Sequence, residues 1–319
     1  MVNIMEYEHF GILLKELRKK FNMSREELAQ NICTPKQIYR IEKGNSEPSV
    51  YLLHQLSIKF NLDLNDYYKM YFTRNTLAGL IGIDSFNNVL INDDIHLLKP
   101  LIDKYEILED FKAGENLQHI YYGKALCAAL LDSDYKKSLE HCYEGIRVER
   151  PEFSIYNISE NMYSNVGLTL LNCISQNFFA MNDYDKGMNV LNGLLTVIES
   201  FVIESPYPLF HGSQFSKKIY QVTLYNMGCH LFEHGEYQKA LDYVEKGISF
   251  SLKEYNFRYL PDLLFMKFKL FYYAQNYDEA KEYYQQAFSL YKLTAKQSTL
   301  DELDRSTKID FPEILKINI

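Results

Sequence analysis

At 319 residues and 37.6 kDa the chain can bury a sizeable core and has room for about two domains, which excludes a marginal miniprotein. Five cysteines, an odd number without a CxxC pair, read as free thiols in a reducing compartment. With no basic-then-apolar leader and no apolar run of the ~18 residues that a span needs, the expectation is a soluble, cytoplasmic protein. Net charge is -8, yet Met1 to Phe72 carries ten Lys/Arg against nine Asp/Glu, so the acidic excess lies behind the first 72 residues. Tyrosine is abundant at 27 and tryptophan is absent, and neither count points to a function.

The first elements are short amphipathic helices between Phe10 and Phe60. Leu13, Leu14, Leu17 and Phe21 recur at helical spacing until Asn22 and Met23 break the pattern. Ser24 with Glu27 is a capping box for a second helix, predicted over Ser24 to Asn31. Leu28 and Ile32 continue its apolar face, and Ala29 permits a close helix crossing. Thr34 and Pro35 start a third helix, to Lys43, after an almost absent turn. Ile38 and Ile41 anchor it inward, Gly44 ends it, and Lys36, Gln37, Tyr39, Arg40 and Lys43 face outward. Those donors and one aromatic suit phosphates and base edges in a major groove. The local charge agrees, because between Phe10 and Asn45 eight basic residues face four glutamates. Leu52, Leu53, Leu56 and Phe60 predict a fourth helix after Pro48 and Ser49, and Asp63 to Phe72 a fifth. This is the pattern of a helix-turn-helix reader of duplex DNA.

The segment LKELRKKFNMSREELAQNICTPKQIYRIEKG resembles the repressor-type helix-turn-helix family. More narrowly, it is similar to the peptide-responsive RRNPP branch that includes PlcR and Rgg. The general family has one more residue in its turn, usually with a glycine; here Asn31-Ile32-Cys33 stands in its place. The resemblance implies a structural pairing of Arg18 with Glu42. It also implies a phosphate contact at the start of the second helix, where the family's frequent glutamine is Arg25 here.

Beyond Thr73 the chain carries helical signals punctuated by aromatic-centred turns, Asp134-Tyr135, Asp183-Tyr184, Glu236-Tyr237 and Asn276-Tyr277. Each tyrosine is followed three positions later by a small residue: Ser138, Gly187, Ala240 and Ala280. The tyrosines are 49, 53 and 40 residues apart, longer than the ~34 of a tetratricopeptide repeat, so the array is degenerate. Its best unit has Leu224, Gly228, Leu231, Ala240, Val244 and Gly247 at the packing positions. Four units are visible between about His119 and Leu293, and a fifth, eroded one is expected over Arg74 to Lys112. The expected fold is therefore all-α. A five-helix reader at 1–72 leads through a linker helix at about 65–80 into a tetratricopeptide-like solenoid at 73–319.

Asn161, Asn165, Thr169, Asn172 and Gln176 fall at intervals that predict one polar stripe along a single helix. Carboxamides offer a donor and an acceptor to an extended peptide backbone, and the same pattern also fits an ordinary solvated face. Asn226 lies on the first helix of the best repeat, flanked by Tyr225, Cys229 and Glu233. The resemblance implies that a short signalling peptide, taken back into the cell, binds the concave side, with contact at Asn172 and Asn226 first. It implies a homodimer whose two readers span a roughly two-fold operator, with no cofactor, metal or catalytic residue. A second reading keeps the reader and makes the array a dock for a partner protein. A third comes from His230-Leu231-Phe232-Glu233-His234, a literal HxxEH, which would make the chain a zinc hydrolase. No Gly-rich phosphate loop, GxSxG elbow or EF-hand loop accompanies it.

Overall fold

Apolar residues at 3.6-residue spacing have no strand-like alternation to compete with them, and a computed structural model of the chain is helical accordingly. It describes residues 9–65, 68, 77–92, 94–203, 214–294 and 297–313, and among these every regular element is a helix. The chain divides into two compact units, Met1–Cys127 and Ala128–Ile319.

The first unit opens with α1 (Phe10–Lys20), α2 (Arg25–Ala29), α3 (Pro35–Glu42) and α4 (Val50–Phe60). Leu14, Leu28, Ile38, Ile41, Leu52, Leu56 and Leu64 make its core. Each such side chain contributes about 1.5–3 kcal/mol by leaving water. The Ser24 box forms as the sequence predicts, its hydroxyl accepting from the Glu27 N–H at 3.1 Å and the Glu27 carboxylate from the Ser24 N–H at 2.7 Å. α2 nonetheless stops two residues earlier than expected, at Ala29, because Asn31 turns left-handed at φ 64°. Lys59 on α4 takes up the freed carbonyls, donating to those of Glu27 and Gln30. Phe21 also differs from its expected role on the apolar face of α1. It lies at that helix's end, 44% exposed, with its ring 5.4 Å from Phe60, and Phe10 and Gly11 are buried instead. At Gly11, α1 runs so close to α3 that a Cβ would overlap the Ile41 carbonyl.

The fifth helix and the linker helix expected from Asp63 to about residue 80 lie mostly outside the described residues. Of that stretch, Tyr68 packs edge-on to Phe10 and donates its hydroxyl to Glu47 at 3.1 Å. The unit continues with α5 (Leu77–Asn92), α6 (Leu98–Tyr105) and α7 (Gly114–Leu126), joined around Phe86, Leu98, Ile102, Phe111 and Ile120.

The second unit runs through α8 (Tyr135–Arg147), α9 (Asn165–Ala180), α10 (Tyr184–Ile198), α11 (Gln214–Glu233), α12 (Tyr237–Lys253), α13 (Leu260–Tyr273), α14 (Tyr277–Thr294) and α15 (Gln297–Asp310). Consecutive helices pack as pairs, α9 on α10, α11 on α12 and α13 on α14. Each turn tyrosine is the first residue of its helix, and two positions before it stands a left-handed residue: Ser133, Asn182, Gly235 or Gln275. Asp134 and Asp183 cap the helices that follow by accepting from the N–H groups of Lys137 and Lys186. The small residues three positions after the tyrosines are buried, Ser138, Ala240 and Ala280 completely. They let the paired helices approach, as Gly228 does where a Cβ would stand 2.7 Å from Val244.

Candidate functional site

The third helix of the reader has one buried and one exposed face. Ile38 and Ile41 are buried, while Lys36, Gln37, Tyr39, Arg40 and Lys43 all remain exposed, three of them cationic. Thr34 fixes the start of α3, its side chain accepting the Gln37 N–H at 3.2 Å, and Gly44 ends it at φ 72°. Glu42, the last residue of α3, is held by two arginines. Arg18 Nε donates to its Oε1 at 2.5 Å and Arg25 Nε to its Oε2 at 2.7 Å. Burial raises the Glu42 carboxyl, and hydrogen bonds and charge from Arg18 and Arg25 outweigh it, leaving the group below the usual glutamate range. Arg18 also donates to the Met23 carbonyl at 2.9 Å, which ties the α1–α2 turn to the end of α3.

Arg25, the expected phosphate contact, has a one-third exposed side chain that is also paired within the unit. Its guanidinium is bonded to Glu42 and lies 5.1 Å from the centroid of the Tyr39 ring. Sequence reasoning missed this role, because Arg25 and Glu42 are 17 residues apart and no local pattern joins them.

In the second unit Asn165, Thr169, Asn172 and Gln176 are half-buried along α9, a helix otherwise mostly buried. Asn161 is not part of that stripe. It precedes the helix in extended backbone, because Ser164 caps α9 by accepting the Gly167 N–H at 2.9 Å and is itself held by Glu149. The structure brings Asn172, Gln176 and Asn226 together. Asn226 Nδ2 donates to Asn172 Oδ1 at 2.9 Å, and His230 Nε2 lies 3.4 Å from Gln176 Oε1. Thr169 instead bonds along its own helix, to the Asn165 carbonyl.

Tyr225 and Cys229 form a second group on α11, hydrogen-bonded to each other, with Asp262 of α13 near enough to act on both electrostatically. Burial pushes the Cys229 thiol up to about 11 and raises the Tyr225 hydroxyl further. Asp262, raised by burial, accepts from the Tyr291 hydroxyl at 2.8 Å. Neither Asp262 nor Tyr291 stands in a motif, and only their contact between α13 and α14 identifies them.

The two histidines of the HxxEH pattern are occupied by ring contacts. His230 stacks on Phe179 at 3.4 Å between centroids, and His234 on Tyr184 at 3.3 Å. Among the described residues no three His, Cys, Asp or Glu side chains converge in a way that could hold a metal ion. Nor is any helix among them long and apolar enough to cross a membrane.

These features define a helix-turn-helix reader followed by a helical repeat body. Residues 14–67 match the family described as Helix-turn-helix. An uncharacterised HTH-type transcriptional regulator of Archaeoglobus fulgidus is 39% identical over 54 residues, covering 17% of this chain and 76% of that protein. The chain belongs to the helix-turn-helix family of transcriptional regulators. Its whole fold is similar to that of Bacillus thuringiensis PlcR, solved with the peptide PapR7 and DNA, at a TM-score of 0.71, 16% identity and coverage of 92% of this chain and 99% of that one. The Streptococcus dysgalactiae SHP pheromone receptor Rgg2 follows at 0.61, 15% identity and 94% and 99% coverage. ComR from S. thermophilus, solved with DNA and its signalling peptide ComS, gives 0.61, 18% and coverage of 94% and 98%. The chain shares the fold of all three.

Proposed function

We propose that this chain is a transcription regulator, not an enzyme, whose DNA affinity is set by a short signalling peptide bound in the cytoplasm. Residues 1–72 form the DNA-reading domain and 73–319 the peptide sensor and dimerisation domain. The observation that carries this reading is the likeness along 92% of the chain to PlcR, a protein solved with both a peptide and DNA. The exposed face of α3 supports the DNA half, with Gln37, Tyr39 and Arg40 at base edges and Lys36 and Lys43 on phosphates. The half-buried amides of Asn172, Gln176 and Asn226 support the peptide half, with Asn165, Thr169, Tyr225 and Cys229 as flanking contacts. Arg25 acts on DNA through its hold on Glu42 and Tyr39 more than through a free contact of its own. Two readers in a homodimer span an operator whose half-sites lie about one helical turn, or a multiple of it, apart.

A peptide shifts operator affinity only by its differential affinity for the DNA-competent state. The test uses the full-length protein, the peptide it retains from its native cells as identified by mass spectrometry, and operator affinity at one fixed salt concentration. A change of at least ~5-fold on adding that peptide is expected. An unchanged affinity at saturating, directly measured peptide binding contradicts the proposal.

A further inference from the structure

Cys142 on α8 and Cys173 on α9 meet across the packed interface of their two helices, with their thiols hydrogen-bonded to each other. Asn177 bridges them. Its Nδ2 lies 3.9 Å from Cys142 Sγ and 3.7 Å from Cys173 Sγ, and donates to Ser138 Oγ at 2.9 Å. All four residues are buried, and the two cysteines differ in that Cys142 is wholly enclosed while Cys173 as a residue is 8% exposed.

We propose that Cys142 and Cys173 are a redox-active pair that a hydroperoxide converts to an intramolecular disulfide, with Cys173 attacking and Cys142 resolving. Three donors surround the Cys173 sulfur, the Cys142 thiol, the Ser138 hydroxyl and the Asn177 amide, and together they favour its thiolate. Burial and the neighbouring Cys173 hold the Cys142 thiol protonated. The thiolate of Cys173 attacks one peroxide oxygen, the O–O bond breaks, and the leaving alkoxide takes the proton given up by Cys173, forming an alcohol and a sulfenic acid. The Cys142 sulfur then attacks Cys173 Sγ, the S–O bond breaks, and hydroxide departs with the Cys142 proton as water. Two thiols are oxidised and one hydroperoxide is reduced to alcohol and water. The product fastens α8 to α9, the helix that also carries Asn172 and Gln176.

The test treats the full-length protein with hydrogen peroxide, blocks remaining thiols by alkylation, and maps cysteines by mass spectrometry of the digest without reduction. A Cys142–Cys173 cross-linked peptide is expected, lost on treatment with dithiothreitol. In Cys142→Ser a dimedone-trapped sulfenic acid is expected at Cys173, whereas Cys173→Ser gives neither cross-link nor trapped Cys142. Asn177→Ala, which keeps both thiols, slows cross-linking roughly tenfold by removing one donor to the thiolate. Recovery of both residues as alkylated thiols after exposure that oxidises Cys33 overturns the proposal. So does a cross-link from Cys142 to any other cysteine. The wild-type digest decides the matter even where a serine variant fails to fold.

Discussion

Glu42 shows how much of the reader depends on one buried carboxylate. Its side chain is 1% exposed and serves Arg18 and Arg25 together. Removing it strands a guanidinium that is itself only 11% exposed, a loss that costs about 3–5 kcal/mol. Glu42→Gln is therefore expected to lower the urea midpoint of the reader, with DNA binding falling alongside. The depressed carboxyl also sets a pH limit. The unfolded chain takes up this proton near the ordinary value of 4.5, before the folded chain does, so Glu42's contribution declines as pH falls below that value. Gly11→Ala acts on the same crossing by sterics. Its Cβ meets backbone of α3, which cannot yield as a side chain would, and a loss of ~3 kcal/mol or more is expected in the same urea titration. On the DNA side, Arg40→Ala is expected to relax base preference and Lys36→Ala to weaken all duplexes about equally, as measured by specific and non-specific affinity at matched salt. Loss of preference in both variants would contradict the assignment.

At the scale of elements, the turns of the second unit make the clearest forecast. Asn182 and Gln275 both hold φ 59°, a region that costs an ordinary side chain roughly 1 kcal/mol and glycine almost nothing. Gln275→Gly is expected to stabilise the unit by up to about 1 kcal/mol, and Asn182→Val to destabilise it by more than that. Thermal unfolding of the two variants checks both signs. These turns were legible in the sequence as Asp-Tyr, Glu-Tyr or Asn-Tyr pairs because caps and first-turn residues act locally. The capping box and Thr34-Pro35 were legible for the same reason. What escaped the sequence was made by partners far along the chain. α2 ends at Ala29 with its carbonyls received by Lys59, 32 residues after Glu27, and Arg25 pairs with Glu42, 17 residues away. Periodicity extended the α9 stripe back to Asn161, but Glu149 and Ser164 place the helix start after it. Spacing put Asn172 on a polar stripe and the repeat pattern put Asn226 on the first helix of its unit, and only the packing of α9 on α11 joins them.

At the scale of the whole molecule, His119 in the first unit and Asp262 in the second are expected to respond oppositely to mild acid. His119 on α7 is half-buried, with Nδ1 shut from solvent and lacking a hydrogen-bond partner among the described residues, and desolvation lowers its pKa from 6.5 to about 4. The unfolded chain thus binds this proton first, and about 3 kcal/mol of the first unit's stability is lost as pH falls from 6.5 to 4. Asp262 in the second unit is shifted the other way. Its raised carboxyl makes the ionised form a burden that protonation relieves, so this contribution improves as pH falls. Hydrogen exchange resolved by peptide, compared at pH 6.5 and 4.5 after correction for intrinsic rates, is expected to show loss of protection concentrated in the first unit. His119→Phe should flatten that loss.

The left-handed residue that recurs two places before each turn tyrosine has a bearing on how such a chain changes length over generations. Ser133, Asn182, Gly235 and Gln275 mark seams of equivalent backbone conformation. A recombination joining one seam to another removes or duplicates a complete helix pair and leaves a turn of the same geometry at the scar. Repeat number can therefore drift by whole units, while the inner-face residues of each unit diverge separately toward whatever ligand they meet.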